Sequence, residues 1–158
     1  VLAALAFIRE KNLPCTLVTI GGPLPAQSER LARRYKVGDN IEQLDFTDSV
    51  TDYMQAADLL VHPARVEAAG SVLIEAMACG LPIVCTANCG FAPHVADANA
   101  GIVVSSPFDQ DEFNRSVRRL VSDDTMRERL GDQGIDYLFR HFPQSRVEFI
   151  EQWLHTGQ

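Results

Sequence analysis

The sequence contains no apolar run approaching the roughly 18 to 20 residues needed to cross a bilayer, which excludes a transmembrane helix as the organising element. It also lacks a basic surplus: 14 Lys and Arg stand against 21 Asp and Glu, a formal net charge of -7. Sequence-independent nucleic-acid binding requires clustered cations to displace counterions, so no nucleic-acid partner is expected. The most basic local group, Arg30, Arg33, Arg34 and Lys36, lies at helical spacing beside Glu29 and reads as a solvated helix face. Cysteine is sparse. Cys15, Cys79, Cys85 and Cys89 match no common zinc or redox spacing, and each is flanked by small or apolar residues. They read as buried free thiols in a reducing compartment, which implies a cytoplasmic location. A signal peptide is not evident either. The apolar start from Val1 to Ile8 has no basic stretch before it and meets Arg9, Glu10 and Lys11 at once. Initiator methionine is absent too, and the chain is expected to be an excerpt of a longer protein.

What is present is an ordinary globular balance. The chain has 158 residues, 46% hydrophobic and 22% charged, enough for one domain with a sizeable core. Two hydrophobic periods alternate along it. Helical spacing over 1–11 gives way to the β-branched run 16–20, a buried strand closed by Gly21 and Gly22. Helical spacing returns over 26–36, alternation over 40–46 predicts a strand, and 50–57 a short helix. A strand at 59–62 stops at Pro63. A helix over 71–79 follows, with Gly80 as its left-handed cap and Leu81-Pro82 behind it. Strands at 82–86 and 101–105 come next, then helices near 109–121, 125–141 and 145–154. Short strands separated by helices predict a Rossmann-like parallel sheet with helices on both faces, followed by a C-terminal helical extension.

In such sheets ligands bind outside the carboxyl ends of the strands. Those ends carry Gly21 and Gly22, Phe46-Thr47-Asp48, His62-Pro63 and residues 86–90. The segment Glu67-Ala68-Ala69-Gly70 leads straight into the helix beginning near Ser71. Its small residues admit a ligand to the backbone, and the N–H groups of Ser71 and Val72 at the helix start suit an anion such as a sugar diphosphate. Glu75 is the only polar residue between Ser71 and Cys79, and a carboxylate in apolar surroundings needs a partner. Eight helical residues at about 1.5 Å each would put Glu67 and Glu75 about 12 Å apart, the scale of a nucleoside diphosphate sugar. Two readings stay open on pattern alone: carboxylates that hold a ligand, or Glu67 favouring a helix start with Glu75 solvated. His94 is a candidate contact to phosphate or sugar, the plainer alternative being a histidine packed in its loop. His62 reads as a satisfied residue ending an apolar strand, while His141 and His155 suggest nothing.

The run from His62 through Glu67-Ala68-Ala69-Gly70, Glu75 and Gly80 to Val84 resembles the E-x7-E segment of retaining GT-B glycosyltransferases of family GT4. Within that family, Glu67-Ala68-Ala69-Gly70 and the stretch Cys89 to Asn99 are similar to bacterial lipopolysaccharide core glucosyltransferases; most members carry Glu-Gly-Phe-Gly instead. The resemblance covers essentially residues 1–158, read as a single donor-binding domain. It implies that Glu67 is the catalytic residue contacting the transferred sugar. It further implies that Ala69 and Gly70 offer backbone groups to the sugar hydroxyls, Ser71 and Val72 their N–H to the diphosphate, and Glu75 its carboxylate to the ribose. Phe46, Thr47 and Asp48 would border the uracil, and Gly21 and Gly22 would line the phosphate side. The implied donor is UDP-glucose and the acceptor a heptose of the lipopolysaccharide core, held by an N-terminal domain absent here. No metal or other cofactor is implied. The first strand of the domain, and the Arg and Lys that neutralise the leaving diphosphate, would lie upstream of Val1. The excerpt alone is therefore expected to be inactive, and the complete protein to work at the cytoplasmic face of the inner membrane, with peripheral association. The rival readings are another GT4 enzyme with a different donor or acceptor, and a non-enzymatic α/β nucleotide-binding or signalling module. A receiver-like module requires an acidic pair after the first strand, where Gly21 and Gly22 stand.

Overall fold

Alternating β-branched runs and helical periods do resolve into alternating elements. The structure, a computed structural model, describes residues 1–141. In chain order it contains α1 (Leu2–Glu10), β1 (Leu17–Ile20), α2 (Ala26–Tyr35), β2 (Ile41–Leu44), α3 (Val50–Ala56), β3 (Leu60–His62), α4 (Ser71–Ala78), β4 (Ile83–Thr86), α5 (Ala92–Ala98), β5 (Gly101–Val104), α6 (Gln110–Val121) and α7 (Asp124–His141). The expected helix near 145–154 lies outside the described residues. No described helix is long and apolar enough to cross a membrane.

All strand pairs are parallel, as crossover helices require. They form two sheets: β1 with β2, and β3-β4-β5 with β4 in the centre. β4 is buried on both faces, and its alternation sorts the core. Ile83 and Cys85 pack with Leu73 and Met77 of α4, Val95 of α5 and Leu138 of α7. Val84 points the other way, to Ala4 and Ile8 of α1 and to Phe113 and Leu120 of α6. Helices therefore cover both faces of the three-stranded sheet, the doubly wound α/β arrangement that the periodicity predicts.

β1 departs from its reading as a buried strand. Its residues alternate between half-buried and exposed, with Val18 43% and Ile20 36% exposed. The reason is an open groove of about 480 Å³ that β1 shares with β3, lined among others by Val1, Leu2, Val18, Thr19 and Val61. Among the described residues, β1 pairs only with β2 and β3 only with β4.

Helix α5 is the element that periodicity missed. Gly90 and Pro93 punctuate the stretch as a loop would, yet Pro93 occupies the first turn, where its fixed φ starts a helix and its missing N–H costs nothing. The end of α4, in contrast, follows its residues closely. Gly80 takes φ +67°, its N–H donates to Met77 O at 3.1 Å, and Leu81 N–H donates to Ala76 O at 2.9 Å. This paired closure satisfies carbonyls that the last turn leaves open. All four cysteines are free, with Cys85 and Cys89 buried.

Candidate functional site

The ends of β3 and β4 converge on Glu67. After Thr86 the chain runs alongside the segment that follows His62, and the two are stitched together by main-chain bonds. Glu67 N–H donates to Asn88 O at 3.2 Å, Gly90 N–H to Glu67 O at 3.0 Å, and Phe91 N–H to Ala69 O at 2.8 Å. Glu67 and Cys89 thus form an isolated parallel bridge beyond the sheet. Thr86, buried at the end of β4, adds its hydroxyl as a donor to Ala64 O. This close approach needs glycines. A Cβ at Gly90 would run into the Ala68 carbonyl, and one at Gly70 into Cys89 Sγ. Gly70 also takes φ +80° as the residue entering α4, a conformation that other residues rarely adopt.

Those constraints fix where the carboxylate lies. A Cβ on Gly70 would sit 3.6 Å from Glu67 Oε1, so the Glu67 carboxylate folds back beside the start of α4. Its other oxygen is 2.5 Å from His62 Nε2, a pairing across a five-residue separation. The sequence reading of His62 as a satisfied strand-end residue missed this role. A polar residue ending an apolar strand was the available signal, but the loop path that returns Glu67 to it has no periodic signature. Ser71 is exposed and Val72 half-buried in the first turn of α4, where N–H groups have no helical acceptor. Ala68 and Ala69 are exposed, leaving the backbone open to a ligand.

Glu75 is half-buried one turn further along. Burial raises its carboxyl above the ordinary value of 4.5, and a hydrogen bond with the Ser71 side chain offsets part of that rise. The partner sought for this carboxylate is thus Ser71. Glu75 in turn helps burial push the Cys79 thiol up to about 11, and burial with Cys89 nearby pushes Cys85 up to about 12. Neither of these two thiols is a thiolate at neutral pH.

The remaining candidates form a second group at the ends of β1 and β2. Gly21 and Gly22 take φ +117° and +93°, and both donate their N–H to Leu44 O, at 3.1 and 2.9 Å. Phe46 is 88% exposed, with its ring 3.6 Å from the Cβ position of Gly21. Thr47 Oγ1 accepts from Ser49 N–H at 3.1 Å, and Asp48 is exposed. An aromatic face this open beside a glycine pair suits a flat ring. His94 belongs to neither group. It lies in the first turn of α5, not in a loop, with Nδ1 2.9 Å from the Tyr137 hydroxyl and its ring against Phe91 and Tyr137. At the start of α6, Asp109 Oδ1 accepts from Glu112 N–H at 2.7 Å, so that carboxylate caps a helix.

Comparison with known proteins places this geometry. Residues 1–137 match the family described as glycosyl transferases group 1. The chain is 41% identical over 125 residues to the lipopolysaccharide glucosyltransferase WaaG of Escherichia coli K12, covering 78% of this chain and 33% of that protein. It is 30% identical over 139 residues to a D-inositol 3-phosphate glycosyltransferase of Catenulispora acidiphila, covering 83% of this chain and 32% of that protein. A crystal structure of WaaG superposes with a TM-score of 0.84 at 34% identity, over 94% of this chain and 42% of that one. The chain thus spans about a third of the length of these curated relatives. The parallel sheets flanked by helices, the fold they share and the family match lead to one conclusion: the chain belongs to the group 1 glycosyltransferases.

Proposed function

We propose that this chain is the donor-binding domain of a protein that transfers glucose from UDP-glucose to a heptose of the lipopolysaccharide inner core, with retention of configuration. The observation that carries the reading is the 41% identity with the lipopolysaccharide glucosyltransferase WaaG. The geometry supports it, with a paired carboxylate beside a helix N-terminus, a second carboxylate one turn further along the same helix, and an exposed aromatic next to the first of two glycines. In the reaction the bond between the anomeric carbon and the UDP oxygen breaks, and a bond to the acceptor oxygen forms on the same face. The acceptor proton passes to the departing phosphate oxygen. The first demand is to stabilise charge on that diphosphate, and the amides of Ser71 and Val72 at the start of α4 serve it. The second is to hold the sugar still. Glu67 contacts its hydroxyls, Ala69 and Gly70 add backbone groups, and Glu75 accepts from the ribose.

No metal ion is part of this reading, and transfer is expected to continue in the presence of a chelator. The acceptor contacts belong to another domain of the complete protein, whose lipid-linked acceptor places its work at the cytoplasmic face of the inner membrane as a peripheral protein. Assaying the full-length protein against a panel of nucleotide sugars tests the donor. UDP-glucose should be used best, with Glu67→Ala reducing turnover by about a hundredfold or more. Unchanged transfer by Glu67→Ala would remove that residue from the mechanism. The 30% identity with a D-inositol 3-phosphate glycosyltransferase supports a second reading, in which a different sugar or acceptor is used. Preference for another nucleotide sugar in the same panel would select it.

A further inference from the structure

Three side chains with different donor atoms meet where β3 and β4 end. His62 Nε2, a Glu67 carboxylate oxygen and Cys89 Sγ all lie within 4.8 Å of one another. Each comes from a separate segment, and the segments are locked in register. His62 closes β3, which pairs with β4, and Glu67 and Cys89 are bridged through their main chains. Cys89 is buried, with Sγ 3.4 Å from Ala69 O, while His62 and Glu67 are only half-buried. The cluster therefore has a closed floor and a side open to solvent.

Nitrogen, oxygen and sulfur donors in this combination suit one class of ion. Zinc takes imidazole, carboxylate and thiolate together at about 2.0 to 2.3 Å, so tetrahedral donors stand about 3.3 to 3.8 Å apart. The His62–Glu67 contact of 2.5 Å has to open by about an ångström, and the widest spacing, within 4.8 Å, has to close by about as much. Magnesium, which favours oxygen ligands, has no such match here. We propose that His62, Glu67 and Cys89 form an inhibitory site for a thiophilic divalent cation of the zinc type. On binding, the Cys89 thiol proton passes to solvent. The proton between His62 Nε2 and Glu67 is taken up by water, while Nδ1 keeps or gains one, so that Nε2 offers its lone pair. The hydrogen bond is replaced by bonds to the cation, and a fourth position faces the open side. No oxidation is involved. The inhibitory part rests on the glucosyl-transfer reading, because the cation would tie up the Glu67 carboxylate that holds the sugar.

Cobalt(II) is the probe that reads the site without any assay of transfer. Titrated into the purified protein, it should give a sulfur-to-cobalt charge-transfer band and intense tetrahedral visible bands that saturate at one equivalent. Zinc should displace it, and millimolar magnesium should not. Cys89→Ser should abolish the charge-transfer band, His62→Ala should weaken cobalt binding about tenfold or more, and Cys79→Ser should leave the spectrum unchanged. Circular dichroism and a cooperative thermal transition measured on each variant report that the domain is folded. Should Cys89→Ser fail that check, His62→Ala and Glu67→Gln carry the comparison. In transfer assays, the ratio of rates with and without zinc should fall well below one in the wild type and approach one in Cys89→Ser. Absence of the charge-transfer band in the wild type, or its persistence in Cys89→Ser, overturns the proposal. Failure of the donor assignment would appear in the nucleotide-sugar panel and would leave the cobalt spectrum as it is.

Discussion

His62 stands at the end of β3 with Nε2 2.5 Å from Glu67, and that bond holds the carboxylate beside the start of α4. In the proposed reading, where Glu67 holds the transferred sugar, removing the imidazole frees the carboxylate to rotate away. His62→Ala in the full-length protein is expected to lower kcat by about tenfold to a hundredfold with a smaller change in KM. His62→Gln, which keeps a side-chain donor, should recover part of that loss, and equal damage by both variants would show that the imidazole does not work by positioning Glu67. Glu75 makes a different prediction. Its folded-state carboxyl titrates above 4.5 because of burial, so the fold favours the protonated form. Stability is greatest below the unfolded value and declines as pH rises through the raised one. Glu75→Gln should therefore raise Tm at neutral pH, remove that part of the pH dependence, and weaken UDP binding by about tenfold. A loss of both Tm and affinity would instead mark Glu75 as a structural residue. At this scale the sequence was partly readable. Glu75 stood out because its neighbours are apolar, and Glu67 because small residues and a helix start follow it. The His62–Glu67 pair did not, because it depends on how a loop closes, which no residue pattern encodes.

Among the elements, α4 is the one that local chemistry specifies at both ends. Gly80 with Leu81-Pro82 behind it announces a left-handed stop, and the paired bonds to Met77 and Ala76 realise it. Gly70 opens the helix for two reasons, its positive φ and the nearness of Cys89 Sγ. Gly70→Ala is expected to cost about 2 to 4 kcal/mol. Gly22, also at positive φ but with nothing within 4 Å of a Cβ, should lose only about 1 kcal/mol as Gly22→Ala. Urea unfolding of the two variants measures the difference, and equal losses would remove the Cys89 contact from the account. α5 shows the limit of punctuation as a guide. Pro93 ends elements in most contexts, but in a first turn it begins one, and the seven residues of α5 are too few to show a period.

For the molecule as a whole, periodicity was a reliable guide to class. Short β-branched strands and intervening helices imply parallel pairing, and β4 with helices on both faces is the result. The division into two sheets was not visible, because a strand's neighbours are not written in its own residues. That division has a colloidal consequence. Among the described residues, β1 and β3 each pair with a strand on one edge only and both line the groove, next to the exposed side chains of Val18 and Ile20. An edge left unpaired templates pairing with strands of other chains, and nothing along β1 carries a charge to prevent it. The isolated chain should self-associate as its concentration rises. Val18→Lys, a charged gatekeeper on the half-open strand, should shift light scattering toward monomer without loss of thermal stability. Concentration-independent scattering by the unmodified chain would mean that the seam is closed in solution.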